Sequence, residues 1–230
     1  MRLTGDAKPR TLIAMRVDIY SDTICPWCFI GKRRLERTLA ARENLSVEVQ
    51  WHPYQLNPDM PREGLDSQTY LTLKFGSPSR ARQVYDTIAR AGHSERIAFN
   101  FDAITRTPNT LDSHRLIRFA NQAGDGYGAA VVEELFRAYF MQGEDIGNLG
   151  VLGRVARRCG LDGVAAEAFL ASGADTDEVR AEDLRARRMG VEGAPCFIVD
   201  GRYAISGAQE PEAFYPLLDL ASIGLGHTPD

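Results

Sequence analysis

Asp22-Thr23-Ile24-Cys25-Pro26-Trp27-Cys28-Phe29-Ile30-Gly31 is the stretch from which the rest of the chain is read. Two cysteines stand with two residues between them, after the apolar run Met15 to Tyr20 and before a helical pattern. Residues three apart share a helix face, so both sulfurs come within disulfide range. Pro26 suits the first helical position, where a missing N–H costs nothing. Cys25 then sits at the helix N-terminus, under unpaired N–H groups and the positive end of the dipole. That setting favours the thiolate, which is the reactive species. Cys28 lies one turn in, more shielded, and suits the resolving role.

Half of a zinc site is the rival reading of such a pair. Structural zinc takes four ligands, usually as two close pairs. Cys159 and Cys196 stand alone, and His52, His93, His114 and His227 form no close pair, so no metal site is expected. Hydrophobic residues at 44% and charged residues at 25% of 230 suit a globular chain able to bury a core. A net charge of −4 without a block of like charge argues against nucleic acid as partner, and no apolar run approaches a membrane span. Residues 1–14 read as a flexible leader without the apolar core of a signal peptide. The expected compartment is therefore the cytoplasm, where a CxxC serves catalysis rather than a structural bridge.

Outward from the cysteines, Arg16 to Tyr20 reads as a strand. The helix from Pro26 carries Cys28, Gly31, Leu35 and Leu39 on one buried stripe, with Gly31 allowing close approach to a sheet. Lys32, Arg33, Arg34 and Arg37 read as its solvated face. Leu45, Val47, Val49 and Trp51 alternate with polar residues as a second strand, parallel to the first across the helical crossover. Helices are expected over Ser67–Phe75, Ser79–Ala91, Leu111–Ala123, Tyr127–Met141, Leu149–Cys159 and Thr176–Arg188. Cys196 to Val199 and Arg202 to Ser206 read as a hairpin about Asp200-Gly201. A closing helix follows Pro211, with Pro216 either bending it or delaying its start.

The CPWC run, the strand–helix setting and a distant Gly193-Ala194-Pro195 resemble the DsbA family of the thioredoxin superfamily, in its FrnE-like branch. The likeness covers nearly all of residues 15–222. It implies an α/β fold, a thioredoxin-like core with a large all-helical insertion: 15–57 plus 177–223 as core and 58–176 as insertion. It implies a cis bond before Pro195, beside the CxxC, with Ala194 contacting substrate. The implied activity is thiol–disulfide exchange as oxidase, reductase or isomerase, on a disulfide- or thiol-containing protein or small molecule. Cys25, Cys28 and Pro195 carry the chemistry, with no bound cofactor and glutathione as a candidate co-substrate. The runner-up is a glutathione-dependent isomerase or transferase of the 2-hydroxychromene-2-carboxylate isomerase or kappa class. Those proteins share the layout but use a serine where this chain has Cys25.

Around these residues the sequence leaves alternatives open. Trp27 contacts substrate or packs over the disulfide. Asn109-Thr110-Leu111-Asp112-Ser113-His114-Arg115 resembles a segment that the FrnE-like and isomerase branches share at a helix start, and Asn109 and His114 are candidate substrate contacts there. Equally, Asn109 or Thr110 caps a helix and His114 is structural. Asp22 accepts a proton near Cys25 or is a turn residue. Cys196, as a strand neighbour of Pro195, should point to the other face as a buried, inert thiol. Cys159 reads as core. The insertion is expected to fold over the core as a lid beside Cys25, with Trp27, Ala194, Asn109 and His114 along the cleft.

Overall fold

A computed structural model describes residues 15–42 and 45–225; the leader expected over 1–14 lies outside them. The apolar run forms β1 (Met15–Ser21), and alternation along it buries Met15, Val17 and Ile19 on one face. Helix α1 (Pro26–Ala40) crosses over to β2 (Val47–Pro53), which pairs parallel with β1 from Met15↔Val47 to Ser21↔Pro53. The long middle of the chain then runs through β3 (Leu65–Asp66), α2 (Ser67–Phe75), α3 (Pro78–Ser94), β4 (Arg106–Thr107), α4 (Leu111–Ala123) and α5 (Tyr127–Phe140). It continues through α6 (Leu149–Arg158), α7 (Gly163–Ser172) and α8 (Thr176–Arg188). The end of the chain supplies β5 (Cys196–Val199), β6 (Tyr203–Ser206) and α9 (Tyr215–Leu225).

The main sheet has the order β2-β1-β5-β6, with β5 antiparallel to both its neighbours. Asp200 and Gly201 both take positive φ at the β5–β6 turn, the backbone that an Asp-Gly pair tolerates. Pro216 falls in the first turn of α9, because a short 3₁₀ turn over Pro211–Ala213 delays the helix start. A proline there removes no helical hydrogen bond.

One face of the sheet and the helical segment share a core. Phe29 of α1 stacks on Phe136 of α5 with centroids 5.1 Å apart, and Trp51 of β2 meets the same Phe136 edge-on at 6.5 Å. Phe140 and Phe99 extend this aromatic layer toward α3. The other face carries Tyr20 and Cys196, packed with Tyr54, Ala186 and Val191. The helices therefore cover both faces of the thioredoxin-like sheet, and α5 is joined to α1 through buried rings.

Two expectations are corrected. Lys32 and Arg34 are not on a solvated face: both are buried, because α1 lies between α3, α5 and the turn after β6. Lys32 pairs with Glu133 at 2.8 Å and with Glu36, while Arg34 pairs with Glu95 at 3.0 Å and Glu210 at 2.5 Å. The sequence also gave no sign of α7, whose apolar residues surround the axis instead of forming a stripe. Asp162 caps it through Val164 N–H and Ala165 N–H, and Gly173 ends it with φ 77°.

Burial opposes the charge of Glu133, but Lys32 and Arg33 outweigh it and hold the carboxyl below its ordinary value of 4.5. A depressed carboxyl stabilises the fold above its unfolded pKa, and that stability is lost as pH falls through the folded pKa. Glu133→Gln should therefore cost about 1.5–3 kcal/mol at pH 7, the range for hydrogen bonds to charged groups. The difference from wild type should shrink as pH falls below the ordinary carboxylate range. Urea midpoints along a pH series measure this, and a pH-independent difference would contradict it.

Candidate active site

The turn after β1 sets the geometry. Cys25 N–H donates to Asp22 C=O at 3.0 Å, and Cys25 takes the N-cap of α1 with extended backbone (φ −94°, ψ 109°). Pro26 occupies the first helical turn, and no side chain caps the helix. The positive end of the α1 dipole is thus directed at Cys25. Both cysteines of the pair are free thiols, with Cys28 on the inner side of the first turn. Burial, and then the neighbouring Cys25 sulfur, push the Cys28 thiol well above its ordinary value. Cys28 is accordingly held as the neutral thiol while Cys25 receives the helix end. Trp27 between them is 36% exposed and stands at the surface beside the pair.

The Ala194–Pro195 peptide bond is cis, and Cys25 Sγ lies 3.5 Å from Ala194 C=O. Gly31 is what brings these segments together. A Cβ at Gly31 would stand 3.0 Å from the Phe197 ring and 3.1 Å from Pro195 Cγ, closer than side chains normally approach. Pro195 thus faces α1, while Cys196 packs on the opposite face with Tyr20, where burial raises its thiol pKa. Cys159 is partly buried against the core, and burial together with Glu134 raises its thiol to about 11.

Residues 16–219 match the family described as DSBA-like thioredoxin domain. The chain belongs to this DSBA-like family. A probable DsbA oxidoreductase from Streptomyces coelicolor is 33% identical, with a TM-score of 0.84 covering 94% of this chain and 92% of that one. The uncharacterized protein YwbO of Bacillus subtilis is 26% identical over 203 residues, 88% of this chain and 94% of its own. The structure of cytosolic disulfide reductase DsbM from Pseudomonas aeruginosa with GSH is 19% identical, with a TM-score of 0.61 covering 90% and 99% of the two chains. At that identity the likeness is one of fold. As a DSBA-like chain, the protein is an enzyme of the thiol–disulfide oxidoreductase and isomerase class.

The DSBA-like site brings Cys25, Cys28, Ala194 and Pro195 together and leaves Trp27 beside them. It does not put Asn109 and His114 on a cleft wall. The Asn109 amide donates to Met60 C=O at 2.6 Å and accepts from Leu111 N–H at 2.9 Å, so it ties a loop to the first residue of α4, whose N-cap is Thr110. His114 is buried under the site, with Nε2 3.4 Å from Oδ1 of Asp22. Asp22 is the turn residue that one reading made it, its C=O accepting from Cys25 N–H, and its side chain is fully buried, with the other oxygen accepting from Leu56 N–H at 2.7 Å.

Sequence reading missed the partners of that loop. Gln55 is held by Asp183 through its N–H and by Arg187 through its C=O. From Leu56 a groove of about 620 Å³ runs along α2 between Met60, Tyr70, Leu73 and Lys74. Leu73 is 73% exposed there. No cluster of His, Cys, Asp and Glu suited to a metal occurs among the described residues, and no described helix is long and apolar enough to cross a membrane.

Proposed function

We propose that the protein exchanges thiols and disulfides with Cys25 as the attacking sulfur, Cys28 as the resolving one and Pro195 beside them. Cys25 as thiolate attacks a substrate disulfide, forming a mixed disulfide and releasing one substrate thiolate. Cys28 then attacks Cys25 Sγ, forming the Cys25–Cys28 disulfide and releasing the second thiolate. Two electrons pass to the substrate, and the reverse sequence returns them. The observation that carries this reading is a free Cys25 thiol at an uncapped helix start, 3.5 Å from the carbonyl that precedes a cis proline.

The substrate is a protein or small-molecule disulfide or thiol. Its chain lies along the cis-Pro195 segment, with Trp27 and Ala194 as contacts. The 58–176 insertion supplies the groove wall from Met60 to Lys74. Glutathione is the small-thiol partner, and the cytoplasm, which holds it, is the compartment. A glutathione isomerase or transferase is the weaker reading, since two cysteines stand where that chemistry uses a serine.

Insulin disulfide reduction by dithiothreitol, with and without the protein, tests the activity, and a glutathione-driven assay tests the partner. Catalysed turnover is expected in both. Absence of catalysis with dithiothreitol would refute the reading, and catalysis with dithiothreitol alone would remove glutathione.

A further inference from the structure

A buried cation on the redox helix reaches the backbone beside the cis proline. Arg34 lies on the same face of α1 as Gly31, three residues further on. It is 8% exposed, and its guanidinium donates to Ala208 C=O, meets Glu95 at 3.0 Å through Nε and meets Glu210 at 2.5 Å through Nη2. Glu95 is buried too, at the end of α3, and Arg37 reaches it as well at 3.2 Å. Buried ion pairs add little to stability, since apolar side chains of similar volume often serve as well or better. What a satisfied buried pair can supply is a fixed geometry.

The acceptor shows what is fixed. Ala208 follows Gly207, whose N–H donates to Pro195 C=O at 2.8 Å. Ala194, on the other side of the cis bond, has its C=O 3.5 Å from Cys25 Sγ. Strand β6 is an edge of the sheet and ends at Ser206, so no further strand holds the turn that follows it. That turn rests on α1 instead: a Cβ at Gly31 would stand 3.1 Å from Pro195 Cγ and 3.5 Å from Ala208 Cβ. A continuous run of contacts therefore leads from Glu95 of the helical insertion through Arg34, Ala208, Gly207 and Pro195 to Cys25.

We propose that Arg34 is a positioning residue: it holds the turn after β6 against α1 and so sets where the cis-proline edge stands relative to Cys25. The inference rests on Cys25 as the attacking sulfur and on a substrate chain lying along the Pro195 segment. Arg34 then governs how that chain is aligned, and the chemistry of the sulfurs is left to Cys25 and Cys28. A misplacement of about 1 Å, caused far from the reacting atoms, can cost about a hundredfold in rate. A disulfide without a peptide backbone does not use the alignment and should not feel its loss. Glu95 orients the guanidinium, so the insertion acts on substrate alignment from behind α1.

Single-turnover reaction of the reduced full chain with two disulfides separates alignment from sulfur chemistry. Hydroxyethyl disulfide has no peptide backbone; a linear cysteine peptide dimerised through its disulfide has one. Rates are taken per folded molecule, with the folded fraction from circular dichroism. Arg34→Met leaves Glu95 paired with Arg37, so no lone carboxylate is buried. It should slow the peptide reaction by about a hundredfold and keep the hydroxyethyl disulfide reaction within about threefold. Arg34→Lys keeps the charge beside Glu95 but lacks the fork that spans Glu95 and Ala208. It should slow the peptide reaction about tenfold, between wild type and Arg34→Met. Equal slowing of both disulfides, or an unchanged peptide rate in both variants, would overturn the proposal, and if Arg34→Met does not fold, Arg34→Lys decides by the same criteria. A wild type that reacts with neither disulfide would instead overturn the attacking role of Cys25, and one that reacts no faster with the peptide would remove the substrate path along Pro195.

Discussion

Cys25→Ser should lower the rate of disulfide reduction on the order of a thousandfold or more, the scale at which removal of a nucleophile is felt. A serine hydroxyl does not ionise near neutral pH, and no other thiol in the described structure is placed to substitute. Cys28 is buried and held neutral, Cys196 packs on the opposite face of the sheet, and Cys159 lies on the far end of α6 with its thiol raised to about 11. Insulin turnover with dithiothreitol measures the loss. A variant that kept a tenth of wild-type activity would mean that another cysteine carries the attack.

Phe136→Ala should have the largest effect on stability. The ring is fully buried and meets Phe29 of α1, Trp51 of β2 and Phe140. Removing a buried phenylalanine costs about 3–5 kcal/mol through lost transfer energy and the cavity left behind. For a chain of this size that lowers Tm by roughly 6–20 °C. Because Phe136 bridges sheet and helices, the loss should appear as one cooperative transition at lower denaturant, measured by fluorescence and circular dichroism together. Two separate transitions, or a loss below about 1 kcal/mol, would show that the helical segment and the sheet do not share a core.

The parts of this architecture that were legible in the sequence are those with local signatures. CPWC before a helical stripe and Asp200-Gly201 between short strands mark positions through their own backbone chemistry, while the cis bond before Pro195 was implied by the family resemblance. All three stand as expected in the structure. What local pattern did not carry was the company each residue keeps. Lys32 and Arg34 look solvated along α1, and only α3, α5 and the turn after β6 reveal that they are buried and paired with Glu133, Glu95 and Glu210. Helix α7 has no apolar stripe to find, and only the structure shows Asp162 and Gly173 as its ends. The pairing of β3 with β4 joins two-residue strands that no periodicity can show.

The site divides in the same way. Cys25 and Cys28 follow from spacing along the chain, and the cis bond before Pro195 follows from the family resemblance. Asn109 and His114 were read either as substrate contacts or as structural residues, and the partners they keep, Met60 for Asn109 and Asp22 for His114, are too far along the chain for a local pattern to show. The burial of Asp22 depends on Leu56 and His114, 34 and 92 residues away along the chain (56 − 22 and 114 − 22), and could not be read from its neighbours.

The account turns on which sulfur meets the substrate. Cys28→Ser protein reacted with oxidised glutathione and then digested for mass spectrometry locates the covalent adduct directly. The account predicts a stable glutathione adduct on Cys25 and none on Cys159 or Cys196; an adduct confined to Cys159 or Cys196, or an unmodified Cys25, would contradict it.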